Sequence, residues 1–139
     1  MKFYAVIDTN VLVSAMLSRH RDSATVRVLR SIQSGDIRPL VHEDIIKEYR
    51  EVLARPKFKL PQQVVQSIVG IIEFDGLNVE PVPSDDEIPD PKDVVFYEVA
   101  LSKDDAFLVT GNLKHFPRKP IVVTPAEMMK ILDNLNKQL

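Results

Sequence analysis

The chain contains no cysteine, which excludes disulfides, zinc–thiolate sites, iron–sulfur clusters and thiol nucleophiles. It contains no tryptophan, and aromatic residues make up only 6%, too few for an extended base-stacking platform. Neither sign of charge dominates: 18 basic residues stand against 20 acidic ones, a net charge of −2. The basic excess that usually marks a nucleic-acid binder is therefore missing, although what decides such binding is where the charges sit. No apolar run approaches the roughly 18 residues that would span a membrane. The opening Met1-Lys2-Phe3-Tyr4-Ala5-Val6-Ile7 meets Asp8 at once, and a signal peptide needs a longer apolar core. No repeat or low-complexity segment divides the sequence. The expectation is a single domain over residues 1–139, located in the cytoplasm and not in a membrane.

What is present is ordinary globular material, 45% hydrophobic and 27% charged, enough for one sizeable core. Phe3–Ile7, Ile37–Val41, Ala106–Thr110 and Pro120–Val123 read as strands, with a weaker one at Leu77–Val82. Helices are predicted between them. One runs over Val11–Leu17, and a second is capped by Ser23 and stopped at Gly35. Others cover His42–Ala54, Pro61 to Ile72, and Pro91–Leu101, the last apolar almost all round and hence buried. Thr124-Pro125-Ala126-Glu127 is a capping box that opens the final helix. Residues 81–91 hold four of the ten prolines and a cluster of acids, so they read as a loop. Strands that are continuous apolar runs, alternating with helices, point to an α/β protein with a parallel sheet covered on both faces.

Ligands in open α/β sheets bind outside the carboxyl ends of the strands. There the first strand ends in Asp8, with Asn10 just beyond, and the fourth ends in Thr110-Gly111-Asn112. The acidic loop delivers Asp90 and Asp93 to the start of the buried helix. Carboxylates brought together at one edge repel unless a cation sits between them. Hard oxygen donors without sulfur favour Mg²⁺ or Mn²⁺. Plainer readings stand beside this one. Asp8 is a good helix cap, and Asp90-Pro91-Lys92-Asp93 is a good helix start. Asp85, Asp86 and Glu87 read as solvated loop charge. Glu48 lies on the flank of its helix's apolar stripe, where an acid either leans over the sheet edge or stays in solvent, whereas Glu51 points away.

Four segments carry a family resemblance. Val6-Ile7-Asp8-Thr9-Asn10-Val11-Leu12-Val13-Ser14-Ala15 resembles the opening of PIN-domain nucleases. Glu48 in Ile46-Lys47-Glu48-Tyr49-Arg50-Glu51-Val52-Leu53 resembles their second acid, Asp90-Pro91-Lys92-Asp93 their third acidic segment, and Phe107-Leu108-Val109-Thr110-Gly111-Asn112 their fourth. Arg55-Pro56-Lys57-Phe58 and Asn112-Leu113-Lys114-His115-Phe116-Pro117 resemble the toxin branch of that family. The resemblance implies a three-layer α/β/α sandwich around a parallel sheet of about five strands. It implies a metal-dependent ribonuclease like the VapC toxins, acting on RNA, dimerising, and held by a small antitoxin. By position it makes Asp8, Glu48 and Asp93 the catalytic and metal-binding acids, with Asp90 as a further, supporting acid. Asn10, Thr110 and Asn112 would hydrogen-bond to ligands or bound water.

The chain departs from the pattern at one place. The fourth segment usually reads Thr-x-Asp and here ends in the neutral Asn112, so a second metal would be held weakly or only with substrate. Asp105 lies before that strand and does not replace it. A polyanion must still be attracted, and Lys114, His115 and Arg55 are the candidate phosphate contacts. The paired apolar residues from Pro61 to Ile72, and the Met128/Leu132/Leu135 stripe, read first as core and second as a dimer or antitoxin surface. Two other outcomes stay open: a different nuclease role on the same fold, and a weak or inert binding module marked by Asn112. A phosphatase using an aspartyl nucleophile would need Asp-x-Asp at the first strand, where Asn10 stands instead.

Overall fold

The computed structural model describes residues 2–138. The strands are β1 (Phe3–Ile7), β2 (Ile37–Val41), β3 (Leu77–Asn78), β4 (Phe107–Val109) and β5 (Val122–Val123). They form one sheet in the order β3-β2-β1-β4-β5, and every neighbouring pair is parallel. The helices are α1 (Thr9–Leu17), α2 (Ala24–Ser34), α3 (Glu43–Leu53), α4 (Gln62–Asp75), α5 (Val94–Ala100) and α6 (Pro125–Gln138). In one helical layer α2 packs on α1 and α6, and in the other α3 packs on α4 and α5. The result is the α/β/α sandwich expected from the alternation of strands and helices.

The apolar runs become central strands because both faces of the sheet are covered. Ala5, Val6 and Ile7 of β1 are fully buried, as are Leu108 and Val109 of β4. Local signals set the helix ends. Ser23 Oγ accepts the Val26 amide at 3.4 Å, and Gly35 ends α2 in the left-handed region at φ 89°, where a side chain would be strained. Thr124 Oγ1 accepts the Glu127 amide at 3.1 Å while Glu127 Oε1 accepts the Thr124 amide at 2.9 Å, which is the reciprocal box its sequence predicts.

Several bounds differ from expectation, among them β5, which has two residues where four were expected, and α4, which runs on to Asp75. β3 has two residues where six were expected, because its partner β2 ends at Val41, opposite Asn78. Beyond that point the Val82 amide donates to Glu98 O instead. The predicted helix over Pro91–Leu101 splits into a one-turn 3₁₀ helix, Pro91–Asp93, and α5, a tightening common at helix starts. α1 begins two residues early, at Thr9.

The strand order positions the site. From β1 the chain steps outward to β2 and β3, then crosses back to place β4 and β5 on the other side of β1. The order therefore reverses between β1 and β4, and an open α/β sheet has its crevice at such a reversal. Ile7 pairs with Val109 there, and the Asp8 amide donates to Val109 O at 2.9 Å. Asp8 and Thr110 leave the two strands side by side.

Candidate active site

Asp8 occupies the cap position of α1, yet its side chain makes no capping bond. Its Oδ2 instead accepts Thr110 Oγ1 at 2.7 Å and Asn10 Nδ2 at 3.1 Å. The carboxylate is buried, at 5% exposure. Burial pushes its pKa up, and the bonds from Thr110 and Asn10, with the charge of His115, pull against that shift. Asn10 is itself fixed, because its Oδ1 accepts the Gly111 amide at 3.1 Å. Thr110 Oγ1 also accepts the Asn112 amide at 3.0 Å. The ends of β1 and β4 are thus cross-linked through one aspartate oxygen.

Glu48 comes from α3 and is half-buried. It leans toward the sheet edge, and its Oε2 accepts the hydroxyl of Thr9. Burial raises its pKa, with further upward pressure from Asp8 and Asp90 and relief from Thr9 and Lys92. The next residue anchors this helix to β1: the fully buried Tyr49 hydroxyl donates to Ile7 O at 2.5 Å. Asp93 comes from the start of α5 with its side chain only 13% exposed. Its Oδ2 is buried and, among the described residues, accepts no hydrogen bond. Burial, then the charges of Asp8 and Asp90, raise its pKa to about 6, with His115 opposing and Glu48 adding.

Asp90 takes the plainer of its two readings in this geometry. It is exposed, and its Oδ1 accepts the Lys92 amide at 2.9 Å as a cap. It reaches the other acids only as a charge. Asn112 turns to His115, with Nδ2 lying 2.9 Å from Nε2 of the ring. With Asn112 as donor, the ring proton sits on Nδ1, which faces Asp93 Oδ2 at 3.4 Å. His115 thus meets an acid, where the sequence had offered it as a phosphate contact. Lys114 is exposed on the same 3₁₀ turn, Leu113–His115. Arg55 lines, with Glu48 and Lys92, an open groove of about 350 Å³ between α3 and the start of α5.

Sequence reasoning missed Thr9 as the partner of Glu48. The available signal was a hydroxyl directly after the strand's acid, on the first turn of α1. Among the described residues no three of Asp, Glu and His are drawn together closely enough to hold a metal ion. The reasons are local: Thr9 engages Glu48, Asp90 caps its own turn, and Asn112 is neutral. The donor set nonetheless fits a hard divalent cation. Asp93 Oδ2 is an orphaned buried acceptor in the field of three other carboxylates, and such an atom calls for a cationic partner.

These features define an α/β protein with an acidic crevice at the switch point of a parallel sheet. Residues 4–114 match the family model described as PIN domain, and the chain belongs to that family. PIN domains are generally nucleases and typically use divalent metal ions. No curated protein matches the chain, and no solved structure does.

Proposed function

We propose that the chain is a divalent-metal-dependent ribonuclease, the toxin of a toxin–antitoxin pair like the VapC toxins. The observation that carries the nuclease reading is the buried Asp93 Oδ2, left without a hydrogen bond, beside the hydrogen-bonded Asp8. Asp8 and Asp93 would hold Mg²⁺ or Mn²⁺, with Glu48 binding directly or through water. When bound, the ion supplies an activated water and neutralises charge on the phosphate. The residues do the rest. Thr110 and Asn10 lock the Asp8 rotamer through Oδ2. Thr9 holds Glu48 over the crevice. A raised carboxyl pKa suits Glu48 to accept a proton from the attacking water. The His115 ring lies 3.4 Å from Asp93 Oδ2 without a hydrogen bond, and when protonated it steadies that carboxylate through charge.

The toxin assignment rests on the segments around Arg55 and Asn112. Homodimerisation and an antitoxin are supported by α4, whose outer side leaves Val64, Ile71 and Phe74 exposed. A second reading, an inert binding module, is favoured by one observation: Asn112 is neutral and turned to His115.

The test is cleavage of a mixed single-stranded and structured RNA pool with Mg²⁺ or Mn²⁺. EDTA and Asp8→Asn serve as parallel controls. Cleavage lost in both controls supports the nuclease and puts Asp8 in its site. Silence together with no detectable metal binding turns the assignment to the inert module.

A further inference from the structure

The second site lies under the connection from β4 to β5, residues 110–121. A cavity of about 570 Å³ opens there, within the roughly 300–1,000 Å³ of small-ligand pockets. Lys114, Arg118 and Lys119 stand around Leu113, Phe116 and Val122, and no carboxylate lines it. Among the described residues, none of the three cations lies within 4.0 Å of an acid. Asp86, whose carboxyl Lys119 helps to lower, takes the Tyr97 hydroxyl at 2.6 Å instead. Phe116 is a buried floor and Leu113 is 42% exposed, so an apolar surface faces the ligand. Three unpaired cations over an apolar floor suit an anion with a flat, apolar body.

The cavity and the acidic crevice lie on either side of one turn. In Leu113–His115 the first two residues line the cavity, while the third faces Asp93 at 3.4 Å. A strand with one phosphate at the acids brings its next nucleotide to this turn when it runs toward Lys114, and to the groove of Arg55 when it runs the other way. We propose that the cavity binds a nucleotide of a single-stranded nucleic acid, next to the one whose phosphate lies at Asp8 and Asp93. This rests on the nuclease reading for its register, though not for the binding itself. Arg118 and Lys119 hold the backbone phosphate, and the splayed base lies on Leu113. A base still paired in a duplex does not reach into a hollow of this kind. Arg118, Lys119 and the floor at Phe116 all lie beyond the span of residues 4–114 that matches the family.

The experiment compares Arg118→Gln/Lys119→Gln with Lys130→Gln/Lys137→Gln, a pair of exposed lysines on α6 that equalises the charge change. The probe is a fluorescein-labelled single strand of about 12 nucleotides, within known site sizes, as RNA and as DNA, beside a duplex of equal length. Binding is read by anisotropy in EDTA, so that no cleavage intervenes. Loss of that phosphate contact flattens the log–log salt dependence by about 0.7 for a single strand and weakens affinity about tenfold or more at low salt. The α6 pair leaves both unchanged. In cleavage assays the cavity pair raises KM with kcat within about twofold, the signature of lost uniform binding. If wild type cuts nothing and binds no metal but the binding shift persists, the nuclease reading falls and the cavity stands. If the cavity pair matches the α6 pair, if wild type does not bind the strand, or if duplex binds and responds equally, the proposal is overturned.

Discussion

Asp93 carries the sharpest electrostatic conflict in the chain. Its buried oxygen lacks a hydrogen bond, and its pKa stands at about 6 against an ordinary 3.8. A carboxyl raised on folding favours the native state while protonated. That contribution is full below about pH 4 and is lost as pH rises through about 6. The metal-free protein should therefore lose stability between pH 5 and pH 7. Asp93→Asn should remove the loss and melt a few degrees higher at pH 7, the response to about 1 kcal/mol in a domain of this size. Thermal melts in EDTA at both pH values check this, and an equal or lower melting point for the variant at pH 7 contradicts it. Tyr49 makes a different kind of contribution. Its hydroxyl is buried against Ile7 O, so Tyr49→Phe should cost about 1–2 kcal/mol in urea unfolding. The loss should fall on the α3–β1 contact that sets Glu48 beside Asp8.

Helix α4 carries an exposed apolar side as well as a buried one. Val65, Val69 and Ile72 are buried against the sheet layer, whereas Phe74 is 88% exposed and Val64 and Ile71 are partly so. One face would suffice to hold the helix, and the second is the surface on which the homodimer proposal stands. Phe74→Glu should then convert a dimer to a monomer in sedimentation, while changing monomer stability by less than about 0.5 kcal/mol, as exposed substitutions do. A wild-type monomer, or a dimer indifferent to the change, removes α4 from the interface. The short 3₁₀ turns matter more than their length suggests. Pro91–Asp93 presents Asp93 to the crevice while Asp90 caps the turn. Leu113–His115 sends successive side chains to the cavity and to the acid cluster.

For the molecule as a whole, the site exists only because β1 and β4 are neighbours. Residues 8 and 110 are remote in sequence and share one hydrogen bond of 2.7 Å. A cation that binds this assembly and not the unfolded chain must stabilise it, by about 2.7 kcal/mol at a hundredfold excess over Kd. Mg²⁺ or Mn²⁺ should thus raise the melting point of wild type by several degrees and leave Asp8→Asn where it was. Equal shifts in both proteins would place the ion elsewhere. The overall charge of −2 conceals this arrangement. Lys114, Arg118 and Lys119 lie to one side of the acids, and Lys47, Arg55 and Lys92 border the groove beside Glu48.

Much of the fold was legible in the sequence, because helix caps, apolar runs and turn residues act within a few positions of themselves. β1 and β2 were readable to the residue, as were the Ser23 and Gly35 limits of α2 and the Thr124–Glu127 box. The acids at the strand ends could be named, but their partners could not. Whether Asp8 caps a helix or bonds Thr110 depends on which strand lies next to β1, and strand order is set by contacts distant along the chain. The same holds for the length of β3, which stops where β2 ends, and for Glu48, which needs Thr9 from across the sheet edge. Composition and periodicity alone determined a parallel α/β chain with acids at its carboxyl edge. Only tertiary structure decided which acid is hydrogen-bonded, which is a cap and which is buried without a hydrogen bond, because burial and non-local neighbours set the energy of a charge.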